Sequence, residues 1–224
     1  MATVLVIGAS RGIGLEFVRQ YTEEGARVIA THRAPEAGAT LRALGAKPVI
    51  LDVRDEGAVA DFGEMMAQEK LDIAVINAGI AGPRGQAIQS TGGLDFDAVM
   101  HTNVRAPMQL IPALAPALIA ARGKLAVISS RMGSVSLMGS TSNWLYRASK
   151  AALNAALKAA SLELGTQGVV CIAFHPGWVR TDMGGGSADI DVRTSVAGMR
   201  RVLASANDSS NGKFINYNGE HIAW

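Results

Sequence analysis

An α/β fold built on a doubly wound, mostly parallel seven-stranded sheet is predicted by three features of the sequence. Short runs rich in Val, Ile and Ala alternate with longer stretches of helical periodicity. Most of these runs are nearly continuously apolar, as strands covered on both faces should be. The first of them passes directly into a glycine-rich turn and a helix start, the order in which such folds begin. The length of 224 residues, with about half of them apolar, suits one domain spanning 1–224 with a sizeable core. No internal repeat or linker divides it.

The predicted strands are residues 4–7, 27–31, 48–51, 73–76, 124–128, 169–174 and 213–216. Helical patterns occupy 12–23, 55–68 with Asp55 as N-terminal cap, 94–121, 146–164 and 191–204. The third of these contains Pro107, Pro112 and Pro116, so a kink or division is expected there. Two glycine-rich stretches, 79–93 and 184–186, follow predicted strands and are candidate loops at the carboxyl edge of the sheet, where ligands bind in open α/β sheets.

Composition excludes several classes. Net charge is +2 with scattered basic residues, which argues against a nucleic-acid or anionic-membrane surface. The lone cysteine, Cys171, has no intramolecular partner for a disulfide and lies in an apolar run, where it reads as inert core. His32, His101, His175 and His221 have no metal-ligand spacing, so no metal site is expected. The start Met1-Ala2-Thr3-Val4 lacks a basic region and a cleavage site, and the apolar stretch 106–121 is short and interrupted by prolines. The expectation is a soluble, cytoplasmic protein with no membrane association.

The turn Gly8-Ala9-Ser10-Arg11-Gly12-Ile13-Gly14 is a candidate phosphate cradle. Its glycines allow a sharp turn and close backbone approach to a pyrophosphate, and the helix start offers free N–H groups and a partial positive end. The second strand ends Thr31-His32-Arg33 without a carboxylate to hold a ribose 2′-OH. Arg33 and Arg11 instead suit the 2′-phosphate of NADP(H).

Tyr146 and Lys150 stand four apart at the start of a predicted helix and share one face. A free phenol titrates near about 10, and a neighbouring ammonium favours the phenolate. Bringing it towards neutrality takes about 3–4 kcal/mol, which Lys150 and an oxidised nicotinamide would supply in a dry pocket. Tyr146 then suits general acid–base work on a carbonyl/alcohol pair. Ser130 follows the strand 124–128 and is placed to polarise a substrate oxygen. Asn77-Ala78-Gly79 closes another strand with small residues beside a cofactor, and Asn103 sits in a helical stretch where it would tie backbone and water into a proton path.

These pieces together resemble the short-chain dehydrogenase/reductase family. The matching residues are Gly8–Gly14, Asp52-Val53, Asn77-Ala78-Gly79, Asn103, Ser130, Tyr146 with Lys150, and His175-Pro176-Gly177-Trp178-Val179-Arg180-Thr181, in the family's order over nearly the whole chain. The C-factor-like and sniffer-type carbonyl reductase branch is the most similar part of the family. The resemblance implies a Rossmann fold and an NADP-dependent oxidoreductase acting on CH–OH and C=O groups of a small-molecule carbonyl or alcohol. Tyr146 would be the acid/base, Lys150 would tune it and hold the nicotinamide ribose, Ser130 would bind the reacting oxygen and Asn103 would support a water relay. Asp52 would reach the adenine with Val53 beside it. Asn77, Ala78 and Gly79 would line the cofactor, and Pro176, Gly177, Val179 and Thr181 would meet the nicotinamide amide. It also implies a homodimer or homotetramer. An alternative is a dinucleotide-binding sensor or C-factor-like signalling protein with weak activity.

Three departures from the family pattern stand out. Ile7 replaces a common threonine before Gly8. Ser130 and Tyr146 are three residues further apart than in most relatives, so Ser129, Ser134 and Ser136 stay open as alternatives. The segment after Thr181 is short, with Gly184-Gly185-Gly186, and a flexible lid of that kind would leave the pocket open and its specificity loose. Trp178 is a candidate substrate contact, whereas Trp224 is large enough to bury in a subunit interface.

Overall fold

Strand β1 (Thr3–Ile7) shows how the sheet organises the chain. Side chains alternate across a strand, so Val4 and Val6 enter one core while Leu5 and Ile7 enter the other, each fully buried. The computed structural model describes residues 1–85 and 88–224. The predicted 79–93 loop includes Gln86 and Ala87, which lie outside the described residues.

The remaining strands are β2 (Arg27–His32), β3 (Lys47–Ile50), β4 (Ile73–Ile76), β5 (Lys124–Ile128), β6 (Val170–His175) and β7 (Lys213–Asn216). They form one seven-stranded sheet of order β3-β2-β1-β4-β5-β6-β7. Every pairing is parallel. Pro48, which has no N–H for a central ladder, lies in edge strand β3.

Helices α1 (Gly12–Glu23) and α7 (Val192–Ser205) pack together on one face, with α2 (Ala37–Ala43) nearby. Helices α3 (Glu56–Met66), α5 (Ala106–Ala121) and α6 (Trp144–Gly165) cover the other. Asp55 caps α3 by accepting from Ala58 N at 3.0 Å. The Asp191 carboxylate does the same for α7, accepting from Thr194 N at 2.7 Å. Helix α2 had no sequence signal because it is short and buries only Gly38 and Leu41.

The proline-rich region differs from expectation. Helix α4 (Gly93–Met100), a π-helical turn (His101–Arg105) and α5 join into one 29-residue helix, Gly93–Ala121. Pro112 and Pro116 lie inside α5 without dividing it. The irregularity falls earlier because Pro107 has no N–H for the carbonyl of Asn103 four residues before it, and the chain widens there. By length and composition this helix is apolar enough to cross a membrane, at a mean hydropathy of 1.4. Its α5 portion packs on α3, α6, β4 and β5, and Leu110, Leu114 and Leu118 are fully buried there.

Candidate active site and cofactor cleft

Strand order reverses at β1, whose neighbours β2 and β4 lead to opposite halves of the sheet. The crevice at the carboxyl ends of β1 and β4 is therefore the expected ligand site. Gly8 leaves β1 at φ 82°, a left-handed conformation natural to glycine. A methyl group there would lie 2.8 Å from the Ala78 backbone. At Gly14 it would lie 2.1 Å from the Gly8 carbonyl oxygen and 2.7 Å from Asn77 Nδ2. Asn77 braces the turn by donating Nδ2–H to the Gly8 carbonyl at 2.7 Å.

Ser10 and Arg11 complete the turn, and the α1 N-terminus at Arg11 receives no side-chain cap, so its first-turn N–H groups suit an anion. Ile13 lines the cavity beyond it. These features fit a dinucleotide pyrophosphate.

Arg33 is exposed at the end of β2, and its charge acts on Asp52 beyond β3. Burial pushes the Asp52 carboxyl up, but hydrogen bonds from the Arg54 backbone and guanidinium, joined by the charges of Arg54 and Arg33, hold it below its usual range. Arg54, 3.3 Å from Asp52, was missed in the sequence; only its place in Asp52-Val53-Arg54 signalled it. Val53 is buried beneath this cluster. Arg11 is not gathered with Arg33: it pairs with Asp182 at 2.8 Å, both side chains exposed.

The far end of the cleft is a cavity of about 900 Å³. Ser130, Tyr146, Pro176, Gly177, Val179 and Thr181 all line it. Ser130 Oγ accepts from Met132 N at 3.2 Å, and the Ser130 side chain lies near enough to the Tyr146 phenol to favour its ionised form. Lys150, 4 % exposed, donates to the Ile128 carbonyl at 2.8 Å. Its Nζ is 5.6 Å from the Tyr146 ring centroid. Gly79 passes close to both Asn103 and Lys150. Asn103 is fully buried in the π-turn, donating to the Ile80 carbonyl (2.8 Å) and Ser149 Oγ (3.0 Å) and accepting from Ile80 N (2.8 Å). Its side chain is thus committed to protein.

In the protein alone, burial sets the electrostatics of the Tyr146–Lys150 pair. Burial pushes the Tyr146 phenol up to about 12, outweighing the opposing effect of Ser130. Burial also brings the Lys150 amine down to about 8. In the protein alone, Lys150 does not lower the phenol: desolvation of the phenolate dominates and the ammonium is directed at Ile128. Tyr146 rests as a neutral proton donor.

The alternative serines separate cleanly. Ser134 Oγ donates to the Ala223 carbonyl at 2.6 Å, and Ser136 N donates to the Trp224 carbonyl at 3.3 Å. Ser129 Oγ donates to Asn154 Oδ1 at 2.6 Å, deep beside α6. Ser130 alone among the four meets Tyr146. Trp224 stacks on Phe214 of its own chain at 5.4 Å between ring centroids and is partly buried.

Three hydrogen bonds tie the segment after Thr181 to its surroundings and to itself. Trp178 Nε1 donates to the Gly184 carbonyl at 2.8 Å, and Gly184 N to Thr181 Oγ1 at 3.0 Å. Arg84 Nη2 donates to the Met183 carbonyl at 2.6 Å. Trp178 is 50 % exposed and lines the cavity.

His175 lines the same cavity with its Nδ1 buried and unpartnered. Burial first, then the Arg131 charge, lower its imidazole to about 4. The folded form is thus neutral where an unfolded histidine, at about 6.5, takes a proton. Stability from this group is full above about 6.5 and is lost as pH falls towards about 4. The wild type is expected to lose more thermal stability than His175→Gln between pH 7 and pH 4.5. Parallel melting-temperature curves for the two proteins contradict it.

A parallel sheet with a phosphate cradle at its switch point, beside a Ser–Tyr–Lys cluster, defines a dinucleotide-binding oxidoreductase architecture. Residues 2–191 match the short chain dehydrogenase family, and the chain belongs to it. It is 35% identical to the C-signal protein of Myxococcus xanthus over 167 residues, covering 73% of this chain and 98% of that one. Carbonyl reductase Sniffer of D. melanogaster superposes with a TM-score of 0.93 at 29% identity, each chain covered completely. A carbonyl reductase from Pseudomonas aeruginosa in complex with NADP superposes at 0.88 with 34% identity, again with 100% of both chains covered. Among the described residues, no group of three or more His, Cys, Asp or Glu is placed to hold a metal ion.

Proposed function

We propose that the chain is an NADP(H)-dependent carbonyl reductase acting on a small carbonyl compound, or on the alcohol in reverse. The observation that carries this reading is the placement of Ser130 and Tyr146 on the wall of the cavity that Pro176 and Ile13 also line, with the amine of buried Lys150 5.6 Å from the Tyr146 ring centroid. When bound, the reduced nicotinamide supplies the hydride for the carbonyl carbon. Tyr146 gives its hydroxyl proton to the carbonyl oxygen. Ser130 Oγ, already accepting from Met132, turns its own O–H towards that oxygen. Lys150 has two further N–H donors beyond its bond to Ile128, available to a ribose and to the re-protonation path of Tyr146. Asn103, which meets the same Gly79 as Lys150, would support that path. Gly8, Ser10, Gly12, Ile13 and Gly14 hold the pyrophosphate, Asp52 and Val53 the adenine, and Asn77, Ala78, Gly79, Pro176, Gly177, Val179 and Thr181 the nicotinamide side.

The NADP(H) preference rests on Arg33 and on the missing carboxylate at the end of β2. Arg11 joins it once phosphate competes with Asp182. The test is NADPH and NADH oxidation with a panel of activated ketones, quinones and aldehydes. Preference for NADPH is expected, falling by about tenfold in Arg33→Ala. Equal kcat/KM for the two coenzymes in the wild type contradicts this coenzyme assignment. The C-signal likeness supports a second reading, a dinucleotide-binding signalling protein of weak activity. Tight NADPH binding without turnover on any carbonyl favours that reading.

A further inference from the structure

The cavity that holds Ser130 and Tyr146 is lined by three arginines, Arg84, Arg131 and Arg147, and, among the described residues, by no Asp or Glu. Their charges are unequally balanced. Arg131 shares its field with Glu220, whose carboxyl is held below its usual range by hydrogen bonds from Asn218 and Asn216 and, more weakly, by that charge. Arg84 and Arg147 have no ion-pair partner among the described residues. Each is seen to donate one hydrogen bond, Arg84 to the Met183 carbonyl at 2.6 Å and Arg147 Nε to the Ser142 carbonyl at 2.8 Å. The carboxylate next to Met183 along the chain, Asp182, is engaged by Arg11.

The two arginines are carried by segments clipped to each other. Asn143, left-handed at φ 53°, donates its N–H to the Gly85 carbonyl at 2.9 Å and accepts from Gly85 N on its side chain at 3.3 Å. Arg84 precedes that clip by one residue, and Arg147 follows it by one helical turn, its N–H bonded to the Asn143 carbonyl at 3.0 Å. The same cavity also exposes Leu137, Trp178 and Met183. A guanidinium with unused N–H donors beside apolar walls recognises a carboxylate or phosphate more strongly than one in open water.

Resting on the carbonyl-reductase reading, the geometry points to a substrate that is an apolar carbonyl compound carrying an anionic group, selected by Arg84 and Arg147. The test compares NADPH oxidation with para-formylbenzoate, its neutral methyl ester and para-formylphenyl phosphate. The wild type should show kcat/KM at least about tenfold higher for an anionic aldehyde than for the ester. That ratio should shrink as salt rises. Arg84→Gln and Arg147→Gln should each bring it towards unity, and Arg147→Lys should restore part of it. Because the readout is a ratio within one preparation, partial loss of folded protein cancels. A higher value for the phosphate than for the carboxylate identifies the anion as phosphate; the reverse identifies a carboxylate. A ratio at or below unity in the wild type, or one unmoved in both Gln variants, overturns the proposal while leaving hydride transfer standing. A change in the NADPH KM with the ratio intact assigns the arginines to the coenzyme and equally overturns it. No NADPH oxidation with any of the three aldehydes contradicts hydride transfer itself, and the substrate proposal falls with it.

Discussion

Tyr146→Phe is expected to lower kcat for carbonyl reduction by about a thousandfold while NADPH binding stays within a few-fold of wild type. The phenol shares the cavity wall with Ser130 and is the group the proposed reaction uses to give up a proton. Removing it leaves Ser130 to polarise the carbonyl but not to transfer a proton at a useful rate. The ring remains, so the packing around Lys150 and the cofactor wall persists. The pH dependence carries a sign. A phenol raised to about 12 by burial is protonated throughout the neutral range, ready for reduction. Alcohol oxidation needs the phenolate and should therefore rise with pH, helped by positive charge arriving beside the ring. Stopped-flow reduction and fluorescence titration of NADPH, run on both proteins, measure the two halves of the expectation. An unchanged kcat removes Tyr146 from the chemistry.

The second large effect belongs to the cradle. Gly14→Ala would place a methyl carbon 2.1 Å from the Gly8 carbonyl oxygen and 2.7 Å from Asn77 Nδ2. Both partners are fixed, one by the β1 turn and the other by its own hydrogen bond to Gly8. Helix α1 must move away from the sheet or the turn must open. A destabilisation on the order of 3 kcal/mol is expected, with loss of NADPH binding even where the protein stays folded. Thermal melting with and without NADPH checks it: the variant should melt lower and lose the ligand-induced increase. A variant that keeps the wild-type increase contradicts the assignment of this turn to the pyrophosphate.

Much of this was legible in the sequence because the signals were local. Strands β4, β5 and β7 begin and end where their apolar runs do, and Asp55 caps α3 as its place before that helix suggested. Tyr146 and Lys150 share a helix face by spacing alone. The rest depended on contacts between distant segments. Whether Ser129, Ser130, Ser134 or Ser136 meets the phenol was decided by Asn154 and by residues 223 and 224, which draw the other three away. The π-turn at Asn103 arises from a proline four residues later acting inside a long helix, which the pattern of prolines suggested only as a break. The phenol's shift in the protein alone is set by desolvation, which helical spacing to an amine does not show. Arg84 and Arg147 are far apart in sequence, and only the Gly85–Asn143 clip brings their segments together.

The most direct test of the central claim is a single turnover of enzyme-bound NADPH on mixing with an aldehyde, followed by cofactor absorbance in wild type and Tyr146→Phe side by side. Oxidation of one NADPH per chain in the wild type, slowed about a thousandfold in the variant, is the expected result. Bound NADPH that persists in the wild type with every aldehyde and ketone offered, or that disappears equally fast in both proteins, contradicts it.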